Sequence, residues 1–190
     1  TTVLIGTSGQ EFCFREKTIE AIKKNTSAPL LLPLFHRIST PDIFCENMRQ
    51  WVSDGALVAT SNPCATMDYL LDTVKVSLCN NGFVFPGVGL GVLTSGAREV
   101  LPEFFIAAAH AISDTLTQDE LDQGVLMPAI TSIRKVAEKV ALAVAMSAVK
   151  NNVSRPCVYS DFQHGDDEWR MKKLIDNIRW NPEYLPLVPM

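Results

Sequence analysis

Three short and nearly continuous apolar runs predict the strands of a sheet. They are Thr2–Ile5, Leu30–Phe35 and Ala56–Thr60, and none alternates between apolar and polar positions. Such runs are typical of parallel strands that are covered on both faces. Amphipathic segments at Arg15–Lys24 and Asp42–Trp51 separate the runs and predict helices. Because strand and helix alternate, we expect an α/β fold in which these three strands are parallel neighbours with helices on both faces of the sheet.

The pattern changes after this region and predicts a helical part. Apolar residues recur at helical spacing through Ile130–Lys150, which predicts a long helix. Shorter helices are predicted over Val84–Ser95, Pro102–Leu116 and Asp166–Arg179, and another is predicted to begin at a capping box, Thr117–Glu120, and to stop at Gly124.

Two segments predict no regular element. Ser61–Cys79 is irregular in pattern and leaves room for a short hairpin, and the three prolines of Trp180–Met190 predict an extended tail.

The glycines in Val84–Ser95 predict that this helix packs closely against the sheet.

Composition narrows the class of protein. The chain has 190 residues, 47% hydrophobic and 20% charged, which predicts one folded domain or one domain with an appendage. A formal net charge of −4 argues against nucleic acid or a basic membrane-binding surface as a partner, and no apolar run reaches the roughly 20 residues of a membrane span. Five scattered cysteines without a C-x-x-C pair indicate free thiols in an intracellular, reducing compartment. Since Thr1 reads as the middle of a strand, we expect the sequence to begin inside a domain.

Two loops are candidate binding sites. Gly6-Thr7-Ser8-Gly9 follows the first strand, where a loop of a parallel sheet can donate backbone N–H groups to a sugar or phosphate, although an ordinary turn explains it equally well. Asn80-Asn81-Gly82 places two amides at the mouth of a predicted helix, which would suit a carboxylate. The local pattern there favours an ordinary Asn-Gly turn.

The remaining motifs give weaker support for a functional site. Gly87–Gly91 lacks the G-x-G-x-x-G spacing of a dinucleotide loop. His110 lies in an alanine-rich helix and is predicted to be packed, whereas His36 follows a predicted strand. The acidic run Asp166–Glu168 predicts a solvated helix start rather than a metal site, and no catalytic triad is evident.

Several blocks in order carry a resemblance to a known family. They are Thr2–Gln10, Asn80-Asn81, Phe85–Gly91, Ser95–Arg98, Leu121–Gly124 ahead of Pro128, Ile133-Arg134 and Trp180–Tyr184. Together they resemble the C-terminal half of the NAD-binding domain of malic enzymes, followed by that family's C-terminal tail.

The resemblance implies a fold and an activity. The implied fold is a partial Rossmann-like sheet without its first βαβ half, with a domain portion at residues 1–152 and a helix and tail at 153–190. Malic enzymes oxidise L-malate with NAD or NADP and decarboxylate it to pyruvate, using Mg²⁺ or Mn²⁺. In the family the catalytic lysine and tyrosine, the metal ligands and the cofactor fingerprint correspond to positions before Thr1, so we expect the 190-residue chain alone to be inactive. The resemblance also implies a homo-oligomer of two or four subunits.

Few functional residues can be carried over. Asn80 matches the family asparagine that binds the malate carboxylate, with Asn81 beside it, and Gly6, Thr7 and Ser8 match a loop near the cofactor's ribose and nicotinamide. The family's other ligand-binding asparagine, in Leu-Ser-Asn-Pro-Thr, corresponds to His36, which becomes a candidate substrate-binding residue.

The chain also departs from the family pattern. Arg37 replaces the proline after the His36 position, and Val76–Cys79 stands where the family has Pro-Gly-Gln-Gly. An imidazole cannot offer the paired donor and acceptor of an amide. The alternative hypothesis is therefore a malic-enzyme-like module for nucleotide binding or oligomerisation, with a decayed substrate site.

Overall fold

The computed structural model describes residues 2–8, 14–34, 47, 50–52, 55–62, 76–156 and 167–182. Four strands form one parallel sheet in the order β1-β2-β3-β4, with β1 at Val3–Gly6, β2 at Leu30–Pro33, β3 at Leu57–Thr60 and β4 at Val76–Leu78. The three predicted strands are therefore confirmed as parallel neighbours.

Strand β4 was not predicted from the sequence. Val76–Leu78 pairs with β3, from Val58 opposite Val76 to Thr60 opposite Leu78, so the expectation of irregular structure is wrong for these three residues. Three residues are too few to show a strand pattern, and the element is defined by its ladder of hydrogen bonds to β3. The short hairpin for which Ser61–Cys79 leaves room is not tested, because residues 63–75 lie outside the described residues.

One face of the sheet packs against helix α1, Glu16–Lys23. Ile19 and Ile22 lie three residues apart on one side of the helix, and both are buried. They share a core with Leu31 and Val58, which are paired on adjacent strands and fully buried. Burial of such aliphatic side chains, at about 1.5–3 kcal/mol each, is the main stabilising contribution on this face.

The helical part comprises residues 81–156 and 167–178. Its helices are α2 (Phe85–Ser95), α3 (Pro102–Ser113), α4 (Gln118–Asp122), α5 (Ile133–Lys150) and α6 (Asp167–Ile178), with 3₁₀ turns at Asn81–Phe83 and Ile130–Ser132. The predicted helices are confirmed with ends that shift by up to three residues. The capping box is also present, because Thr117 Oγ1 accepts from the Glu120 N–H and Glu120 Oε2 accepts from the Thr117 N–H.

Helix α2 packs against α5, not against the sheet as the sequence led us to expect. A Cβ on Gly87 would overlap the Val140 side chain, and a Cβ on Gly91 would lie 2.7 Å from the carbonyl oxygen of Ala141 and 2.8 Å from Val144 Cβ. The glycines thus allow two helices to approach closely. An apolar helix with small residues fits a helix or a sheet equally well, so the sequence did not identify the partner.

Helix α6 extends the core of the helical part. Met171 and Ile175 are fully buried, as are Ala141 and Ala145 of α5, and together they form one cluster. An ion pair of 2.6 Å between Arg179 and Glu138 adds a contact at the end of α6. Within the described ranges, no helix is both long and apolar enough to cross a membrane.

Two predicted segments lie mostly outside the described residues. In Asp42–Trp51, Asn47, Gln50 and Trp51 are helical, and the structure does not describe the rest. In Trp180–Met190, residues 180–182 are not helical and residues 183–190 are not described.

The helical part meets the second face of the sheet through the loop after α4. The Leu126 N–H donates to Ser77 Oγ over 2.8 Å, and Gly124, at φ +76°, lies against Leu57. Ser77 is paired with Ala59, which points to the face opposite α1. The second face is therefore contacted at β3 and β4. On β1, Val3 and Ile5 are 42% and 57% exposed, so the expectation of cover on both faces is wrong for this strand.

Candidate functional site

The four parallel strands end at one edge of the sheet, which we call the carboxyl edge. Gly6 is paired with Pro33, and Thr60 with Leu78, so the chain leaves all four strands in the same direction. Ligands of open parallel sheets bind outside this edge. The predicted site residues that the structure describes either end a strand, as Gly6 does, or follow one at this edge.

The loop after β1 contains the predicted cofactor-binding residues. Gly6 is buried as the last residue of β1, whereas Thr7 and Ser8 are exposed beyond it. The Gly6 carbonyl oxygen accepts from the Leu34 N–H over 2.8 Å, which ties the start of this loop to β2. Thr7 and Ser8 are thus accessible to a ligand, and Gly9 lies outside the described residues.

Asn80 follows β4 and caps the 3₁₀ turn that leads into α2. Its Oδ1 accepts a hydrogen bond of 2.8 Å from the Gly82 N–H. Because that N–H can only donate, the amide orientation is fixed, and the Nδ2 group carries the donors that remain. Asn80 Nδ2 donates no hydrogen bond within the described part of the chain, and both Asn80 and Asn81 are exposed. The turn favoured by the local pattern is therefore present, and it leaves donors for an acceptor such as a carboxylate.

The two candidate loops are separated along the carboxyl edge. Strands β1 and β4 are the outer strands of the sheet. Three strand spacings place their ends about 14 Å apart. Thr7 and Asn80 follow these separated ends, so their spacing suits different parts of an extended ligand or two neighbouring ligands.

A third polar loop, after β3, was missed in the sequence. Thr60 is buried, and its hydroxyl donates to the Asn62 carbonyl oxygen over 2.6 Å. Ser61 and Asn62 are half-buried at the carboxyl edge. The sequence did contain a signal for this loop, because polar residues directly follow a predicted parallel strand, where ligands of such sheets bind.

Cys79 lies beside this loop, immediately before Asn80. Its N–H donates to the Thr60 carbonyl oxygen over 2.8 Å, and its thiol is free and half-buried. Burial raises the pKa of the Cys79 thiol above its ordinary value, because the charged thiolate is poorly solvated there. The other four cysteines lie outside the described residues.

The remaining sequence candidates fall away from this edge or outside the described residues. His36 is not described, whereas His110 is exposed, so the prediction that it is packed is wrong. Helix α3 buries Phe104, Ala108, Ala111 and Ile112, and His110 points elsewhere. Glu168 is exposed and pairs with Lys172, as expected of a solvated helix start. Across the ranges given above, no three His, Cys, Asp or Glu side chains lie close enough to hold a metal ion.

Comparison with known proteins defines the family. The family model described as "Malic enzyme, NAD binding domain" matches residues 1–149. The chain belongs to this family.

Individual relatives agree with the family match. The chain is 33% identical over 183 residues to an NAD-dependent malic enzyme of Psychrobacter cryohalolentis and 35% identical to one of Acinetobacter baylyi. It covers 31% of the length of each relative, and the match covers 96% of this chain. A crystal structure of malic enzyme from Pyrococcus horikoshii shares the fold, with a TM-score of 0.63 and 23% identity over 94% of this chain and 36% of that one. The predicted Rossmann-like α/β class is confirmed.

Proposed function

We propose that the protein takes part in the oxidative decarboxylation of L-malate to pyruvate, with NAD as the hydride acceptor. The observation that carries this proposal is the fixed amide of Asn80, whose donors remain at the carboxyl edge of a sheet from the malic enzyme family. The relatives named NAD-dependent malic enzyme favour NAD over NADP.

In this proposal Asn80 binds and orients the substrate. Its Nδ2 group donates to one malate carboxylate, and a hydrogen bond to a charged group contributes about 1.5–3 kcal/mol. Asn81, the next exposed amide, contributes to the same subsite. His36 is included as a candidate substrate-binding residue through the family resemblance alone. Holding the carboxylate fixes the direction in which the malate hydroxyl and its carbon-bound hydrogen face the cofactor.

The loop after β1 binds the cofactor in this proposal. Gly6 ends the strand, and the exposed Thr7 and Ser8 provide hydroxyl and backbone groups for the ribose and nicotinamide. The separation of about 14 Å between the ends of β1 and β4 fits a dinucleotide that runs along the carboxyl edge toward Asn80.

The reaction also needs a group that the described residues do not hold. A divalent metal such as Mg²⁺ or Mn²⁺ would act as a Lewis acid on the malate oxygens. The residues that the structure describes offer no ligand set for such an ion. Assembly into dimers or tetramers likewise stays a prediction.

The second candidate is a nucleotide-binding or oligomerisation module without malate turnover. This candidate is favoured by the sequence at two stretches that bind ligands in the family. His36 replaces an asparagine in one stretch, and Val76–Cys79 replaces Pro-Gly-Gln-Gly in the other.

One experiment separates the two candidates. The protein, purified as its source makes it, is mixed with L-malate, NAD and Mg²⁺ or Mn²⁺, and NADH and pyruvate are measured. Equal amounts of NADH and pyruvate, both dependent on the metal, support the first candidate. Binding of NAD without malate-dependent NADH would support the second. The 190-residue chain on its own is expected to be inactive in the same assay.

A further inference from the structure

A second asparagine, Asn62, follows β3 at the carboxyl edge. Strand β3 is the neighbour of β4, which precedes Asn80. Asn62 comes two residues after Thr60, and Asn80 comes two residues after Leu78. Thr60 and Leu78 are partners in the β3–β4 register, and the Cys79 N–H continues the ladder to the Thr60 carbonyl oxygen. The two chains therefore leave the sheet side by side, about 4.8 Å apart as adjacent strands are.

The backbone of Asn62 is held by a buried side chain. Thr60 is 3% exposed, and its hydroxyl donates to the Asn62 carbonyl oxygen over 2.6 Å. The Asn62 amide also contacts its neighbour, because Nδ2 donates to Ser61 Oγ over 3.4 Å. A residue fixed in this way keeps its position when a ligand arrives, which is a requirement for a binding group.

We propose that Asn62 is a further ligand-binding residue of the carboxyl edge, where it binds a planar carboxylate or carboxamide group beside Asn80. The proposal rests on the proposed function, which places malate and the nicotinamide ring at this edge. An amide offers both a donor and an acceptor, so it can bind a carboxylate of malate or the carboxamide of nicotinamide.

The same assignment accounts for a departure noted in the sequence. His36 follows β2 at a position where an asparagine was implied, and it lacks the amide chemistry. Asn62 supplies an amide one strand further along, since β2 and β3 are neighbours.

Steady-state kinetics of the Asn62→Ala variant test the proposal. The substitution is made in the form of the protein that its source produces, and the concentrations of malate and NAD are varied separately. We expect the KM of one ligand to rise about tenfold or more. A rise for malate identifies the carboxylate as the group bound, and a rise for NAD identifies the carboxamide. Both KM values within twofold of the unchanged protein would overturn the proposal.

Three further variants guard against an indirect effect. Asn151→Ala removes an exposed amide that donates to the Ser147 carbonyl oxygen over 2.8 Å at the end of α5, and it should leave both KM values unchanged. Thr60→Val removes the hydroxyl that holds Asn62, and it should raise the same KM as Asn62→Ala, by a smaller factor. Asn62→Asp keeps the side-chain shape and loses the amide donors, so it replaces Asn62→Ala if that variant does not fold.

A binding measurement separates this proposal from the proposed function. The side-chain amide signals of the ¹⁵N-labelled protein are followed by NMR while L-malate or nicotinamide mononucleotide is added, and Asn62→Ala assigns the Asn62 signals. Saturable shifts of the Asn62 signals, with Asn151 unmoved, support Asn62 even if the protein does not oxidise malate. No shift with either probe would overturn its assignment, whatever the activity.

Discussion

The backbone N–H of Leu126 donates to Ser77 Oγ over 2.8 Å, and this bond joins the helical part to the sheet. Ser77 is only 6% exposed and lies in the middle of β4. It stands where the family resemblance implies a glycine, which has no hydroxyl to offer. The serine therefore holds the loop after α4 against the strand that leads to Asn80.

Replacement of Ser77 by alanine should destabilise the folded chain. The substitution leaves the Leu126 N–H without its acceptor in a partly buried place, which costs about 1–3 kcal/mol. The free energy of unfolding in urea measures the effect. Ser113→Ala, at an exposed site at the end of α3, should change it by less than about 0.5 kcal/mol. Equal unfolding free energies for the two variants would mean that the hydrogen bond to Ser77 does not stabilise the contact between the helical part and the sheet.

Two glycines of α2 should respond oppositely to alanine. A Cβ on Gly91 would meet the Ala141 carbonyl oxygen and Val144, so Gly91→Ala should destabilise the chain by about 1–3 kcal/mol. A Cβ on Gly89 would meet nothing within 4 Å, so Gly89→Ala should stabilise it by about 0.5–1 kcal/mol. Chemical denaturation of both variants measures the difference. The same sign for both would contradict the close approach of α2 to α5.

The raised pKa of Cys79 predicts slow alkylation of its thiol near neutral pH. Only the thiolate reacts, and burial keeps the folded thiol protonated at a pH where an exposed thiol has begun to ionise. Mass spectrometry of the peptide that contains Cys79, after timed iodoacetamide treatment, should show a lower rate in the folded chain than in denaturant. A faster rate in the folded chain would contradict this.

The same shift predicts a pH dependence of stability. The folded state holds the Cys79 proton more tightly than the unfolded state does, so the stability it contributes is fully present below the ordinary thiol pKa. That contribution is lost as the pH rises through the raised value. Cys79→Ala should remove this part of the alkaline loss in a series of urea titrations. If the variant loses the same unfolding free energy at alkaline pH, groups other than Cys79 cause that loss.

The fold could be predicted where one pattern had one structural solution. The non-alternating runs Thr2–Ile5, Leu30–Phe35 and Ala56–Thr60 predicted three parallel strands correctly, but they did not predict that one face of β1 is exposed at Val3 and Ile5. The capping box at Thr117 fixed a helix start from four residues. β4 could not be predicted, because Val76–Leu78 is a strand only through its ladder to β3.

The candidate site was predictable in part for a similar reason. The two amides before an apolar helix made Asn80 a candidate, but the local pattern favoured a turn and its substrate role came from the family resemblance. The orientation of its amide depends on the Gly82 N–H, which only the structure supplies. Asn62 drew no attention in the sequence, because its place beside Asn80 follows from the register of β3 with an unpredicted strand.

In the proposed function, Asn80 donates to a carboxylate of malate at the carboxyl edge, and two substitutions separate this role from its capping role. Asn80→Ala removes both the cap to the Gly82 N–H and the donors at Nδ2, whereas Asn80→Ser retains a cap acceptor and loses only the amide donors. Asn81→Ala is the companion variant for the neighbouring amide. If the unfolding free energy of Asn80→Ser is unchanged, its kinetics report the donors alone.

The kcat/KM for malate of Asn80→Ser, with the substitution made in the protein as its source makes it, tests whether Asn80 donates to the substrate. Loss of a hydrogen bond to a charged group, about 1.5–3 kcal/mol, should lower it about ten- to hundred-fold while the KM for NAD moves by less than about twofold. Unchanged malate kinetics in both Asn80→Ser and Asn81→Ala would contradict the claim.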